Sequence, residues 1–211
     1  MTYISDSTIE QKSFELLSKY SKNFNWQLSF PIPIEMVIEK QLEYSLDTFF
    51  EDENILGAID QTNKIIYTNE NAISYFKSYP GSFEFTLAHE VGHWDLHCDY
   101  NSNQLRIMNK PVSMICRAGD RDFKEIQANK YAAALLMPEY LVKETLKDVD
   151  YYNWPTLYNI AKDWHVSVTA LKNRLEKLKL LYFDEETQSF YENKIAASGQ
   201  QTLFWEIVKI C

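Results

Sequence analysis

The chain has 211 residues, 45% apolar and 24% charged, with only 5 Gly and 6 Pro; this excludes a disordered or low-complexity polymer and allows one large domain or two small ones with a buried core. Its 14 Tyr, 12 Phe and 5 Trp are aromatic surface that must be packed, and its net charge of −9 argues against a surface built to neutralise phosphates. The longest apolar run, Tyr131 to Met137, falls far short of the roughly 18 residues of a membrane span, and Met1 to Lys12 has no leader pattern, so no membrane association is expected and the chain reads as cytoplasmic.

A first helix is expected over Ser7 to Tyr20, capped by Asp6 or Ser7, with Ile9, Phe14, Leu16 and Leu17 at roughly helical spacing. Phe30-Pro31-Ile32-Pro33 interrupts it. Ile34, Val37, Ile38 and Leu42 then give a second helical pattern, and the acidic stretch Phe50 to Asn54 reads as a loop. Two β-favouring runs, Ile55 to Ile59 and Lys64 to Thr68, flank Asp60-Gln61-Thr62-Asn63 and predict a hairpin whose edge could hold an extended peptide. Beyond Pro80-Gly81, Phe83, Leu87, Val91 and Trp94 recur at steps of three and four and predict an amphipathic helix to His97, with Ser82 near its start. A polar loop is expected from Asp99 to about Gly119. A further helix follows from about Asp122 to Met137, stopped by Pro138, which opens a short one. Cys98, Cys116 and Cys211 form no CxxC pair and read as reduced, structural thiols.

His89-Glu90-Val91-Gly92-His93 has the H-E-x-x-H spacing. Residues four apart on a helix share a face about 6 Å apart along the axis, which lets two imidazoles hold one zinc. Glu90 then lies where its carboxylate can take a proton from an activated water. A catalytic zinc needs a third protein ligand. His97 does not fit, because it is roughly 12 Å from His89 along the helix while two ligand atoms on one metal lie at most about 4 Å apart; it is expected to be structural or to support a ligand. Glu125 on the next helix is the better candidate, with Asn129 one turn further along the same face.

The run Phe85-Thr86-Leu87-Ala88-His89-Glu90-Val91-Gly92-His93, followed by Glu125-Ile126-Gln127-Ala128-Asn129-Lys130-Tyr131-Ala132-Ala133-Ala134-Leu135-Leu136-Met137-Pro138, closely resembles the two signature blocks of the ImmA/IrrE metallopeptidase family. The resemblance spans about Pro31 to Leu181. It implies metal ligands at His89, His93 and Glu125, Glu90 as catalytic base, and cleavage of helix-turn-helix repressors of mobile elements or stress regulons. The chain departs from the family at Ser82 and Glu84, where arginines often stand. Zinc is the expected metal, with manganese or iron as alternatives on the same ligands. Tyr131, Tyr151, Tyr152, Tyr158 and His165 are the residues on offer for stabilising an oxyanion.

Thr156 to Trp164 and Val168 to Leu180 form two helical patterns around His165-Val166-Ser167, with Ser167 placed to cap the second and two short strands, Leu181 to Phe183 and Ser189 to Tyr191, behind them. This resembles a small helix-turn-helix, winged by the strands. Lys162, Lys172, Arg174, Lys177 and Lys179 outnumber Asp163 and Glu176 here, which puts Lys172 and Arg174 forward as contacts to DNA or a partner, although the overall charge weighs against DNA.

The sequence thus predicts an α+β, mostly helical fold: a zincin-like metalloprotease domain over residues 1–150 with a small β-sheet, then a helix-turn-helix-like module over 151–211. The expected function is zinc endopeptidase action on a repressor. A non-catalytic regulator working through the C-terminal module is the competing reading. A small-amide hydrolase is disfavoured by the lack of an upstream Cys of the deformylase kind.

Overall fold

The computed structural model describes residues 4–52, 54–97 and 123–197, and the backbone alone of 106–109. The three cysteines lie outside the described residues.

Helix α1 (Asp6–Phe24) starts one residue before its expected position. Ser5, not Asp6 or Ser7, is its N-cap, accepting from the Thr8 amide at 3.1 Å. It runs past Tyr20 until Asn25 adopts a left-handed conformation and donates its N–H to Ser21. Ile9, Leu16, Leu17 and Tyr20 form its buried face, whereas Phe14 falls off that stripe and is 45% exposed. Ile34 starts a short helical turn, α2 (Ile34–Met36), which widens into a π-helical turn over Val37–Gln41.

The hairpin forms between β2 (Ile55–Asp60) and β3 (Ile65–Asn69), antiparallel, with Asp60 Oδ1 accepting from the Thr62 and Asn63 amides in the turn. Neither strand is a sheet edge. Strand β1 (Ser45–Phe49) pairs parallel to β3, and β4 (Arg106–Asn109) pairs antiparallel to β2, giving the order β1-β3-β2-β4. The expectation of an open edge on the hairpin is therefore corrected: among the described residues the edges are β1 and β4. The loop expected from Asp99 to about Gly119 likewise contains β4.

A short helix α3 (Ile73–Ser78) leads into α4 (Ser82–His97), and α5 (Phe123–Leu136) packs along α4. Pro138 ends α5 and is the N-cap of α6 (Glu139–Leu146). Helix α1 crosses α5, and the sheet lies over α4 through β2 and β3. Among the described residues no helix is long and apolar enough to cross a membrane.

Helices α7 (Trp154–Asp163) and α8 (Val168–Lys177) are capped by Asn153 and Ser167, whose side chains accept from the Thr156 and Ala170 amides. A two-stranded hairpin, β5 (Tyr182–Asp184) with β6 (Ser189–Tyr191), and the short α9 (Lys194–Ala197) follow. These helices do not stand apart. Leu157, Trp164, Leu171 and Leu175 share one core cluster with Ile9, Leu87 and Leu135, so the core is continuous across residue 150. Phe30 stacks on Trp164 at 3.7 Å between ring centroids, tying the chain ahead of α2 to the end of α7.

Arg174 corrects a sequence expectation. It is 2% exposed; its Nε donates to the Met137 carbonyl at 2.9 Å, and its guanidinium forms a two-pronged pair with Glu10 of α1, Nη1 to Oε1 and Nη2 to Oε2. A side chain spent in this way is not offered to DNA or a partner. Lys172 is also engaged, 3.4 Å from Glu176 and 4.7 Å over the Phe183 ring.

Candidate metal centre

The helical spacing of His89 and His93 puts their rings 4.6 Å apart on the face of α4 that meets α5. Glu125, in the first turn of α5, completes the group: its Oε2 is 3.2 Å from His89 Nε2 and its Oε1 is 3.1 Å from His93 Nε2. Ligand atoms of the three residues all lie within 4.8 Å of one another. Two ligands about 2.05 Å from a tetrahedral ion stand about 3.3 Å apart, so the spacing matches that geometry.

The close approach of the two helices depends on Gly92. A Cβ there would come within 3.1 Å of both the Cα and the carbonyl oxygen of Ala128, so any larger residue would push against the backbone of α5. On the other side of α4, β2 passes close to the buried Glu90. A Cβ on Gly57 would lie 3.6 Å from Glu90 Oε1 and 2.7 Å from Thr86 Cγ2. Glu90 is 0% exposed, held between α4 and the sheet.

The protonation pattern supports a cation between these groups. Asn129 Oδ1 is 2.9 Å from His89 Nδ1, so with the amide oxygen accepting, the ring proton sits on Nδ1 and Nε2 keeps its lone pair. Among the described residues buried His89 Nε2 makes no hydrogen bond, and the atom it faces, Glu125 Oε2, is also an electron-pair donor. Two such pairs pointed at one another are favourable when a cation lies between them. Two imidazoles and one carboxylate are a donor set for a divalent transition metal.

Glu125, in the first turn of α5, turns its carboxylate toward both imidazoles. Its side chain is 44% exposed, against 1% and 5% for the two histidines, so the site opens to solvent on the α5 side.

His97 is not part of this donor group. Its Nε2 is 3.1 Å from the Lys124 carbonyl, which places it against the start of α5, next to Glu125. Of the residues put forward for an oxyanion, Tyr131 hydrogen-bonds Asp95 at 2.8 Å; Tyr151 and Tyr152 bond the Leu180 carbonyl; His165 lies 3.5 Å from Glu84; and Tyr158 is 59% exposed. Burial, then the Asp95 charge, raises the Tyr131 pKa well above its ordinary value, which keeps its hydroxyl a neutral donor. Asp95 also accepts from Lys12 of α1 at 2.7 Å. Lys12, Asp95 and Tyr131 therefore link α1, α4 and α5 just beyond the turn that carries His89 and His93. Sequence reasoning missed this network, because no spacing rule connects its three residues.

His89, His93 and the facing Glu125 stand close enough together to hold one metal ion, and the buried Glu90 lies between the two histidines on α4. The chain belongs to the peptidase M78 family: the model described as the IrrE N-terminal-like domain matches residues 47–176, which contain all four of these residues. No curated protein matches the chain at a significant level.

Proposed function

We propose that the protein is a zinc-dependent endopeptidase that cuts a helix-turn-helix repressor of a mobile element or stress regulon. The observation that carries this reading is the convergence of His89 Nε2, His93 Nε2 and the Glu125 carboxylate beside buried Glu90. These three residues would hold the zinc, or manganese or iron in its place. When bound, the metal supplies Lewis acidity to the scissile carbonyl and to water.

The chain's own groups do the rest. Asn129 fixes the tautomer and orientation of His89. The Glu90 carboxylate accepts a proton from the attacking water and delivers it to the leaving amine nitrogen. It stands beside β2 with no surface open to bulk solvent. The exposed side of Glu125 is the entry for substrate, and β4, the sheet edge beside β2, is the strand an extended substrate would pair with. Repressors are the substrate class because of the resemblance of the two signature blocks.

We read α7 and α8, in the module assigned to residues 151–211, as a helix-turn-helix-like element that packs on the peptidase core rather than on DNA, since Arg174 is taken by Glu10 and Lys172 by Glu176 and Phe183.

The test is cleavage of the repressor encoded beside the gene, by metal-loaded wild type and Glu90→Gln, with products read by mass spectrometry. One defined cut by the wild type alone supports the reading. A cut by both proteins, or by neither, goes against it.

A further inference from the structure

A second concavity lies outside the metal centre. It is an open cleft of about 510 Å³ between β1, α3 and the start of α4. Leu46, Ile73, Phe76 and Phe83 give it an apolar floor, and Glu35, Asp47 and Glu70 stand around it against one cation, Lys77.

The backbone beside this cleft is a sheet edge. Ser45 N–H donates to the Lys64 carbonyl at 2.8 Å, so the backbone groups of Ser45, and by alternation of Asp47 and Phe49, point to β3. Those of Leu46 and Thr48 therefore point away from β3. Among the described residues Thr48 N–H is met only by the side chain of its neighbour, Asp47 Oδ1, at 2.8 Å, an exposed local contact that rotation of one side chain releases. Among the described residues no strand pairs with β1 on this side. Leu46 and Thr48 both line the cleft, so a strand added here lays alternate side chains over the apolar floor.

We propose that this cleft is a docking site for an extended segment of the protein substrate in which apolar residues alternate with lysine or arginine. The excess of carboxylates selects the charge, the apolar floor selects every second side chain, and the outward groups of Leu46 and Thr48 supply the main-chain bonds. Phe83 and His89 lie on the same helix, about 9 Å apart along its axis, so a few residues of extended chain reach from the cleft toward the metal centre. The occupant's identity as substrate rests on the peptidase reading; the docking site does not.

The probe is a fluorescein-labelled decapeptide of alternating Lys and Val, with a Glu-Val decapeptide as control, bound to Glu90→Gln so that nothing is cut. Thr48→Pro removes an outward N–H without touching the β1–β3 ladder, a position an edge strand tolerates. Glu35→Lys with Glu70→Lys reverses the rim charge. Circular dichroism and melting temperature check that both variants fold. The Lys-Val peptide is expected to bind at least tenfold more tightly than the Glu-Val peptide, to lose at least tenfold in affinity with Thr48→Pro, and to lose its advantage over Glu-Val with the charge reversal. No binding of the Lys-Val peptide, or binding that both variants leave unchanged, overturns the proposal. Binding that follows these expectations while the wild type cleaves no repressor would sustain the docking site and count against the peptidase reading alone.

Discussion

Asn129 Oδ1 lies 2.9 Å from Nδ1 of His89, so a residue one turn beyond Glu125 on α5 sets the orientation of the His89 ring on α4. Partners of this kind typically contribute about 10–100-fold to metal affinity. Asn129→Ala is expected to weaken metal binding by that factor with little change in secondary structure. Asn129→Asp, which retains an acceptor, should recover most of it. Competition titration with a chromophoric chelator measures both.

Gly92 is a point of close approach between α4 and α5. In Gly92→Ala the new methyl group meets the Ala128 backbone at 3.1 Å. Overpacking costs about 1–3 kcal/mol, while alanine's helix propensity returns about 1 kcal/mol. The expected result is a modest net loss of stability together with weaker metal binding, because the displaced helix carries Glu125. Urea unfolding of the metal-free protein, alongside a chelator titration, separates the two effects.

The Arg174–Glu10 pair joins α8 to α1 across the core. Arg174→Met leaves a carboxylate facing a buried site and is expected to destabilise the protein by about 3 kcal/mol. Adding Glu10→Leu should restore most of the loss, since both charges are then gone. Thermal melts of the two single variants and the double variant form the cycle that tests this.

Asp6 makes a 2.7 Å ion pair with Lys130 and a 3.4 Å pair with Lys177. The hydrogen bond from Lys130 is the main reason its pKa falls below the ordinary 3.8, with burial opposing and Lys177 assisting. A carboxyl depressed in the folded state adds stability that is present above the unfolded value and is lost as pH falls through the folded value. The melting temperature of Asp6→Asn should therefore lie below that of wild type at pH 6, and the gap should close as pH falls below about 3.8. Because Asp6 is 44% exposed, the gap corresponds to less than about 1 kcal/mol.

Legibility in the sequence followed the range of the interactions. Helices α4, α5, α7 and α8 carry their apolar periodicity and their stop signals locally, and their positions were readable to within a residue or a few. The hairpin was readable from its turn. Strands β1 and β4 were not, because Ser45–Phe49 mixes polar and apolar residues without clear alternation and strand pairing is settled by distant partners. At the site, His89, Glu90 and His93 are fixed by a spacing rule, whereas Glu125, one acidic residue on the next helix, was lifted above other helical carboxylates by resemblance to the family's second block. Arg174 shows the converse. On a helical wheel it reads as a solvated cation, and nothing near it in sequence announces that Glu10 will meet it.

The most direct test of the account is the metal content of the purified protein after zinc loading and dialysis, measured by mass spectrometry for wild type, Glu90→Gln, His93→Ala and Glu125→Gln. Wild type and Glu90→Gln are expected to keep one metal ion per chain, and the two ligand variants to keep little or none. A wild type that retains no metal, or a Glu125→Gln variant that retains as much as wild type, would contradict the assignment of the centre.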